Sequence, residues 1–140
     1  MQKKKTVSSI DDTPQPSGDL ALQTIAMPKD TNASGDIFGG WLLSQMDLAG
    51  SIAAGRVAHG RVSTVAIDRM AFMVPVKVGA VVTCYTQVLA TGRSSIQVQV
   101  EVWSSMRHWG AGDPLPSKVT EGTFVFVAID DNGRTRPLPH

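Results

Sequence analysis

The 140-residue chain is poor in the residues that build several common kinds of functional site. It has one cysteine, Cys84, so an internal disulfide and most cysteine-rich metal sites are excluded. None of the histidines, His59, His108 and His140, stands at zinc-ligand spacing from the cysteine or from another histidine. The G-x-S-x-G elbow of one large class of serine hydrolases is also missing. We therefore expect neither a metal nor a cofactor.

The chain also lacks a large excess of positive or negative charge. Lysine and arginine number 13 against 12 acidic residues, and the resulting net charge of +1 is too weak to recruit nucleic acid or a membrane surface. The one basic run, residues 3–5, is not followed by the apolar stretch of a signal peptide. No apolar run approaches the roughly 20 residues of a membrane span. We expect a cytoplasmic protein with no nucleic-acid partner and no membrane span.

What the first half of the chain does contain is the pattern of a small α+β domain. Residues 1–18 are rich in Lys, Ser, Asp and Pro, as is typical of a flexible tail, and residues 19–140 are predicted to form one domain. A strand is predicted from Asp19 to Met27. After a loop of turn formers, one long helix is predicted from Ile37 to about Val57, with Asp36 as its N-cap.

The second half of the chain predicts four long antiparallel strands. Its segments are rich in Val, Ile and Thr and are separated by short turns at 76–79 and 91–93. A looser segment at 108–117 precedes the last predicted strand, 118–130. Because one helix cannot cover both faces of such a sheet, the sheet must curl around the helix or find a partner for its other face.

Asp47 is the informative residue of the helix. Its neighbours are apolar on most sides, which predicts a buried helix, yet Ser44, Asp47 and Ser51 form a narrow polar stripe at spacings of three and four. Burying an unpaired carboxylate costs on the order of 3–5 kcal/mol. The stripe therefore indicates either a structural ion pair or water-filled interface, or a general base or nucleophile whose pKa is raised by burial.

Gly39 and Gly40 mark the start of the helix. Backbone N–H groups in a first helical turn have no intrahelical partner, so glycines there fit an oxyanion hole, although close packing of helix against strand explains them equally well. The eight residues from Gly39 to Asp47 span about 12 Å. Both groups can meet one reacting carbonyl only if two antiparallel helices from two chains come together. A catalytic role for both thus requires at least a dimer.

Several stretches resemble the YciA-type acyl-CoA thioesterases of the hotdog superfamily. The most specific unit is TN-x-x-G-D-I-F-G-G-W followed by S-Q-M-D, and it is joined by AHGRVSTVAIDRMAFMVPVKVGAVVTCY, TGRSSIQVQVEVW and FVFVAIDDNGRTRPLP. The likeness runs from about Leu20 to Pro139. It implies a hotdog fold with a long central helix wrapped by a curved antiparallel sheet. It also implies dimers or trimers of dimers that hydrolyse acyl-CoA.

The resemblance assigns roles to individual residues. The family's catalytic aspartate corresponds to Asp47, and the helix start at Gly39 and Gly40 corresponds to the part that polarises the thioester carbonyl. Related hotdog thioesterases often have asparagine in place of Asp36, for which we favour a helix cap over a second acid. Asn32 is a polar loop candidate near the site, with a plain turn as its alternative.

The turn at Arg93 resembles the family's CoA-contacting turn. Arg93 would meet a phosphate and Ser94 would bond the pantetheine arm, with Ser95 beside them; a hairpin turn with a solvated arginine is the alternative. Phe38 completes the candidate substrate-binding set.

Three functions follow in order of preference. The first is acyl-CoA hydrolysis, with Asp47 as general base or nucleophile. The second is a non-catalytic acyl-CoA-binding or regulatory hotdog module, which has little need for a buried Asp47. A dehydratase or hydratase ranks below both, because no histidine falls on the helix face of Asp47.

Overall fold

The structure is a computed structural model that describes residues 15–72, 74–106 and 115–139. Most of the predicted tail 1–18 and most of the looser segment 108–117 lie outside the described residues. The elements in chain order are β1 (Asp19–Ile25), a short 3-10 helix (Pro28–Asp30), α1 (Gly39–Ala58), β2 (Val62–Phe72), β3 (Val81–Thr91), β4 (Ser95–Ser105) and β5 (Ser117–Ala128).

The strands form one antiparallel sheet in the order β1-β3-β4-β5-β2. Helix α1 contacts all of these strands and packs on one face of the sheet. The prediction of an α+β architecture built on one long helix and long antiparallel strands is confirmed. Strand β2 follows the helix directly and lies at one edge of the sheet, with β5 as its partner.

The core explains how close the helix comes to the sheet. Alternate residues of β4 are fully buried beneath α1, and Cys84 of β3 belongs to the same core. At Gly50, an added Cβ would lie 2.8 Å from the ring of Phe126. A glycine at this position lets the helix sit directly on β5, which brings the neighbouring Asp47 face against β2.

The predicted start of the helix is wrong by two residues. Ile37 is buried in an isolated β-bridge, so the backbone is still extended there, and the helix begins at Gly39 with Phe38 as its N-cap. Asp36 is therefore not the cap. Its carboxylate instead pairs with Lys77 Nζ at 2.9 Å, across the loop that precedes β3.

Contacts from the C-terminal segment stabilise the end of α1. His59 is the C-cap and takes a left-handed conformation with φ 53°. The Arg136 guanidinium donates a hydrogen bond of 2.8 Å to the carbonyl oxygen of Ala58, and the Leu138 N–H donates to the Arg93 carbonyl oxygen at 2.8 Å. The C-terminal segment thus ties the end of α1 to the β3–β4 turn.

Candidate active site

A pocket opens between the first half of α1 and strand β2. Its volume is about 350 Å³, and it is lined by Gly40, Leu43, Ser44, Asp47, Thr64 and Ile67. The helical members recur at spacings of three and four, so they share one face of the helix. The pocket therefore holds both chemical features that the sequence singled out, the carboxylate and the glycine-bearing helix start.

The Asp47 carboxylate is half-buried in the single chain, less deeply than the sequence indicated. The hydroxyl of Thr64 donates a hydrogen bond of 2.6 Å to Asp47 Oδ1. No lysine, arginine or histidine within the described ranges forms an ion pair with this carboxylate. The structural ion pair weighed from the sequence is thus not found there, and an oriented carboxylate faces the pocket.

The other members of the polar stripe are not partners of Asp47. Ser51 uses its hydroxyl to bond the carbonyl oxygen of Leu48 at 2.8 Å, and Ser44 is exposed at the pocket wall.

The first turn of α1 presents its backbone to the pocket. The first intrahelical bonds run from the N–H groups of Trp41 and Leu42 to the Phe38 carbonyl oxygen, so the N–H groups of Gly39 and Gly40 precede them. An added Cβ at Gly40 would meet no atom within 4 Å. Close packing in the single chain therefore does not account for Gly40. The seven residues from Gly40 to Asp47 still span about 10 Å, too far for one carbonyl oxygen to touch both.

The side chain of Asn32 stabilises the loop that precedes α1. Asn32 Oδ1 accepts hydrogen bonds from the N–H groups of Ser34 at 2.9 Å and Asp36 at 3.1 Å, which favours the plain-turn interpretation. Neither Asn32 nor Asp36 lines the pocket. Phe38 is an exposed side chain next to the helix start.

The Arg93 turn lies at the other end of the molecule. It borders a cleft of about 480 Å³ that is also lined by Val57 and by residues 137–139. Ser94 and Ser95 use their backbone carbonyl oxygens there, accepting bonds from neighbouring strand and turn N–H groups. Because Val57 lies ten residues beyond Asp47, about 15 Å along α1, a single chain does not unite this cleft with the Asp47 pocket.

Sequence reasoning missed three lining residues, Leu43, Thr64 and Ile67. The signal for Thr64 and Ile67 was weak because strict alternation would place them on opposite faces of β2. A register shift between Thr64 and Ala66 puts both on the helix side.

Other chemistries find little support among the described residues. Burial raises the pKa of the Cys84 thiol to about 12, so it is no nucleophile at neutral pH. The part of the chain that the structure describes has no group of three or more His, Cys, Asp or Glu that could hold a metal ion. No helix in the described ranges is long and apolar enough to cross a membrane.

Comparison with known proteins gives a consistent result. The family model of the thioesterase superfamily matches residues 34–108. The acyl-CoA thioester hydrolase YciA of Salmonella typhimurium is 50% identical over 135 residues, which cover 95% of this chain and 98% of that protein.

Two solved structures are similar in fold as well as in sequence. The hexameric thioesterase y2039 from Yersinia pestis is 51% identical, with a TM-score of 0.81 over 90% of this chain and 99% of that one. Cj0915, a hexameric hotdog fold thioesterase of Campylobacter jejuni, is 40% identical, with a TM-score of 0.81 over 87% and 91%. The chain therefore belongs to the thioesterase superfamily, has the hotdog fold, and is a member of the YciA-type acyl-CoA thioester hydrolases.

Proposed function

We propose that the Asp47 pocket is where this acyl-CoA hydrolase cleaves its thioester substrate. One observation carries the proposal: the Asp47 carboxylate faces an open pocket, oriented by Thr64 and unpaired among the described cations. A carboxylate so placed is available to act on water or on a carbonyl carbon. Release of free CoA thiol from short and long acyl-CoA substrates tests the activity directly.

The reaction needs charge stabilisation as well as a base. As water attacks the thioester carbon, its proton passes to Asp47 and negative charge develops on the carbonyl oxygen. The Gly39 and Gly40 N–H groups, at the positive end of the helix dipole, would stabilise that oxygen. The C–S bond then breaks, and the CoA thiolate leaves and takes up a proton. In the alternative route, Asp47 attacks the carbonyl carbon itself, the C–S bond breaks and the CoA thiolate leaves and takes up a proton. Water then hydrolyses the resulting anhydride, which releases the carboxylic acid and regenerates the Asp47 carboxylate.

If Gly40 and Asp47 both act on one carbonyl, the roughly 10 Å between them requires a second copy in the site. We propose that the carboxylate of one chain works with the helix start of its partner, in dimers that assemble further into trimers of dimers. The related proteins from Yersinia pestis and Campylobacter jejuni are hexameric, which supports self-association.

Exposed apolar side chains mark the surface on which such a dimer would form. Leu48 and Ile52 on α1 are 54% and 39% exposed, and Val65 on the neighbouring edge strand β2 is 56% exposed. Leu48 and Val65 directly follow the pocket residues Asp47 and Thr64, and Ile52 lies one turn beyond Leu48 on α1. A second copy that covered them would also shield Asp47 from water and bury it as deeply as the sequence indicated.

The remaining substrate contacts are assigned to Arg93, Ser94, Ser95, Phe38 and Asn32. Arg93 would bind a phosphate of CoA and the serine turn would bond the pantetheine arm. Phe38 is exposed beside the helix start and would pack against the acyl or pantetheine chain. Asn32 would act indirectly, by holding the loop that leads into Phe38. Asp36 would serve as a second acid only once its ion pair with Lys77 opened.

Replacing Thr64 with valine should remove the orientation of the Asp47 carboxylate without disturbing the fold. The change keeps the shape of the side chain but removes the 2.6 Å bond to Asp47 Oδ1, so the carboxylate loses its fixed orientation. We expect kcat to fall about tenfold, with KM nearly unchanged, since one hydrogen bond to a charged group contributes about 1.5–3 kcal/mol. Thr64→Ser, which restores the donor, should recover most of the activity. Equal turnover by the valine variant and the wild type would remove Thr64 from the mechanism.

The alternative drawn from the sequence, a non-catalytic acyl-CoA-binding module, is disfavoured because the chain belongs to the acyl-CoA thioester hydrolases. It would bind CoA esters through the Arg93 turn without releasing thiol. Stoichiometric binding of an acyl-CoA with no hydrolysis would decide for it. The cytoplasmic location and the division into a tail (1–18) and one domain (19–140) are further proposals, to be tested by cell fractionation and limited proteolysis.

A further inference from the structure

Arg69 on strand β2 has a backbone conformation that is unusual for a strand residue. Among the described residues other than glycine, only His59 and Arg69 have positive φ, at 53° and 55°. The left-handed conformation of His59 ends the helix. Arg69 lies within a strand, where the same conformation is strained for a residue with a Cβ.

The strain belongs to a β-bulge next to the Asp47 pocket. Between the pairs Asp68–Thr123 and Ala71–Glu121, the two residues Arg69 and Met70 face the single residue Gly122. Met70 turns toward the core, and its sulfur occupies the space that a Cβ of Gly122 would fill. The bulge thereby turns Arg69 outward, with 86% of its side chain exposed.

The outward turn leaves a cation at the rim of the pocket. Ile67, which lines the pocket, is two residues or about 7 Å of strand from Arg69. Strand β2 runs antiparallel to α1. Its Thr64 contacts Asp47, and its Ile67, further along, lines the pocket together with Gly40. Arg69, which comes after Ile67, therefore lies toward the start of the helix. Its one ion pair within the described ranges, Nε to Asp68 Oδ2, is long at 3.9 Å.

An exposed guanidinium close to the mouth of the pocket, with only a long ion pair to Asp68, is available to an anionic group of a substrate that enters there. We propose that Arg69 is a specificity-determining residue that binds an anionic group of the substrate at the rim of the Asp47 pocket. The inference rests on the proposed function, because the substrate must reach that pocket. Two parts of a CoA ester carry such a group: the phosphates of the CoA nucleotide, and the far carboxylate of a dicarboxylic acyl chain.

The substitution Arg69→Gly tests the proposal without a folding penalty. Glycine accepts positive φ freely, so the variant should melt about 4 °C higher than the wild type, although it loses the cation. We expect KM for its anionic substrate to rise about tenfold with kcat within about twofold. Arg69→Lys should lie between the two, and Arg134→Ala, which removes an exposed arginine from a distant turn, should behave as the wild type.

Three substrates identify the anion. A loss in kcat/KM for butyryl-CoA and succinyl-CoA, but not for butyryl-pantetheine, assigns the contact to a CoA phosphate. A loss for succinyl-CoA alone assigns it to the acyl carboxylate. Equal losses on all three, or no loss on any, overturn the proposal. A wild type that hydrolyses none of them contradicts the proposed function instead. In that case, calorimetric titration of the wild type and of Arg69→Gly with succinyl-CoA decides whether the substitution weakens binding, as the proposal requires.

Discussion

Exchanging Asp47 for alanine should lower kcat at least about 10³-fold while the protein still folds and binds CoA. Both routes open to the enzyme use this carboxylate, as the acceptor of a water proton or as the attacking group, and general-base catalysis alone contributes about 10²–10⁴-fold. The side chain is half-buried at the pocket wall and its one hydrogen bond within the described ranges is to Thr64, so its removal leaves no buried cation unpaired. The measurement is steady-state thiol release together with calorimetric binding of CoA.

Two further variants control that experiment. Asp47→Asn keeps the size of the side chain and an oxygen that can accept the Thr64 bond, but it is no base, so it should be about as inactive as the alanine variant. Asp131→Ala removes an exposed carboxylate from the turn after β5 and should leave turnover unchanged. Retention of near-normal kcat by either Asp47 variant would remove Asp47 from the chemistry.

Exchanging Gly40 for alanine should lower kcat about 10²-fold without weakening the fold. Within the chain the new methyl group meets no atom within 4 Å, and helix propensity favours alanine over glycine by up to about 1 kcal/mol. The same methyl would stand between the first N–H groups of the helix and a thioester oxygen, and losing one oxyanion donor costs about 10²–10³-fold in kcat.

The thermal midpoint serves as the control for Gly40→Ala. An equal or higher midpoint with lost turnover separates catalysis from stability. Wild-type turnover in this variant would refute the role of the helix start in polarising the carbonyl.

The sequence predicted the elements of the fold well because its periodicities are strong. The alternation of β4 is almost perfect, and the long helix lacks proline and is dense in Leu, Met and Ala. The start of the helix was harder to predict. Asp36 is a good N-cap residue by type, but burial of Ile37 in the core keeps the chain extended for two more residues, and Lys77 from a distant loop takes the carboxylate.

The residues that line the pocket were predicted in part. Asp47 and Gly40 could be found because a carboxylate and glycines are unusual in an otherwise apolar helix. Thr64 and Ile67 could not, because a bulge changes which side of β2 they face, and no local pattern marks a bulge without an obvious glycine. Arg93 was identified by resemblance, but the distance along α1 shows that one chain cannot bring it to Asp47.

The separation of Gly40 from Asp47 suggests a direct test of whether sites are shared between chains. Co-refolding equal amounts of the Asp47→Ala and Gly40→Ala chains gives hybrid dimers in which one of the two sites combines an intact carboxylate with an intact helix start. Random pairing predicts recovery of about a quarter of wild-type activity from two nearly inactive proteins. A mixture no more active than its separate components would contradict the shared site.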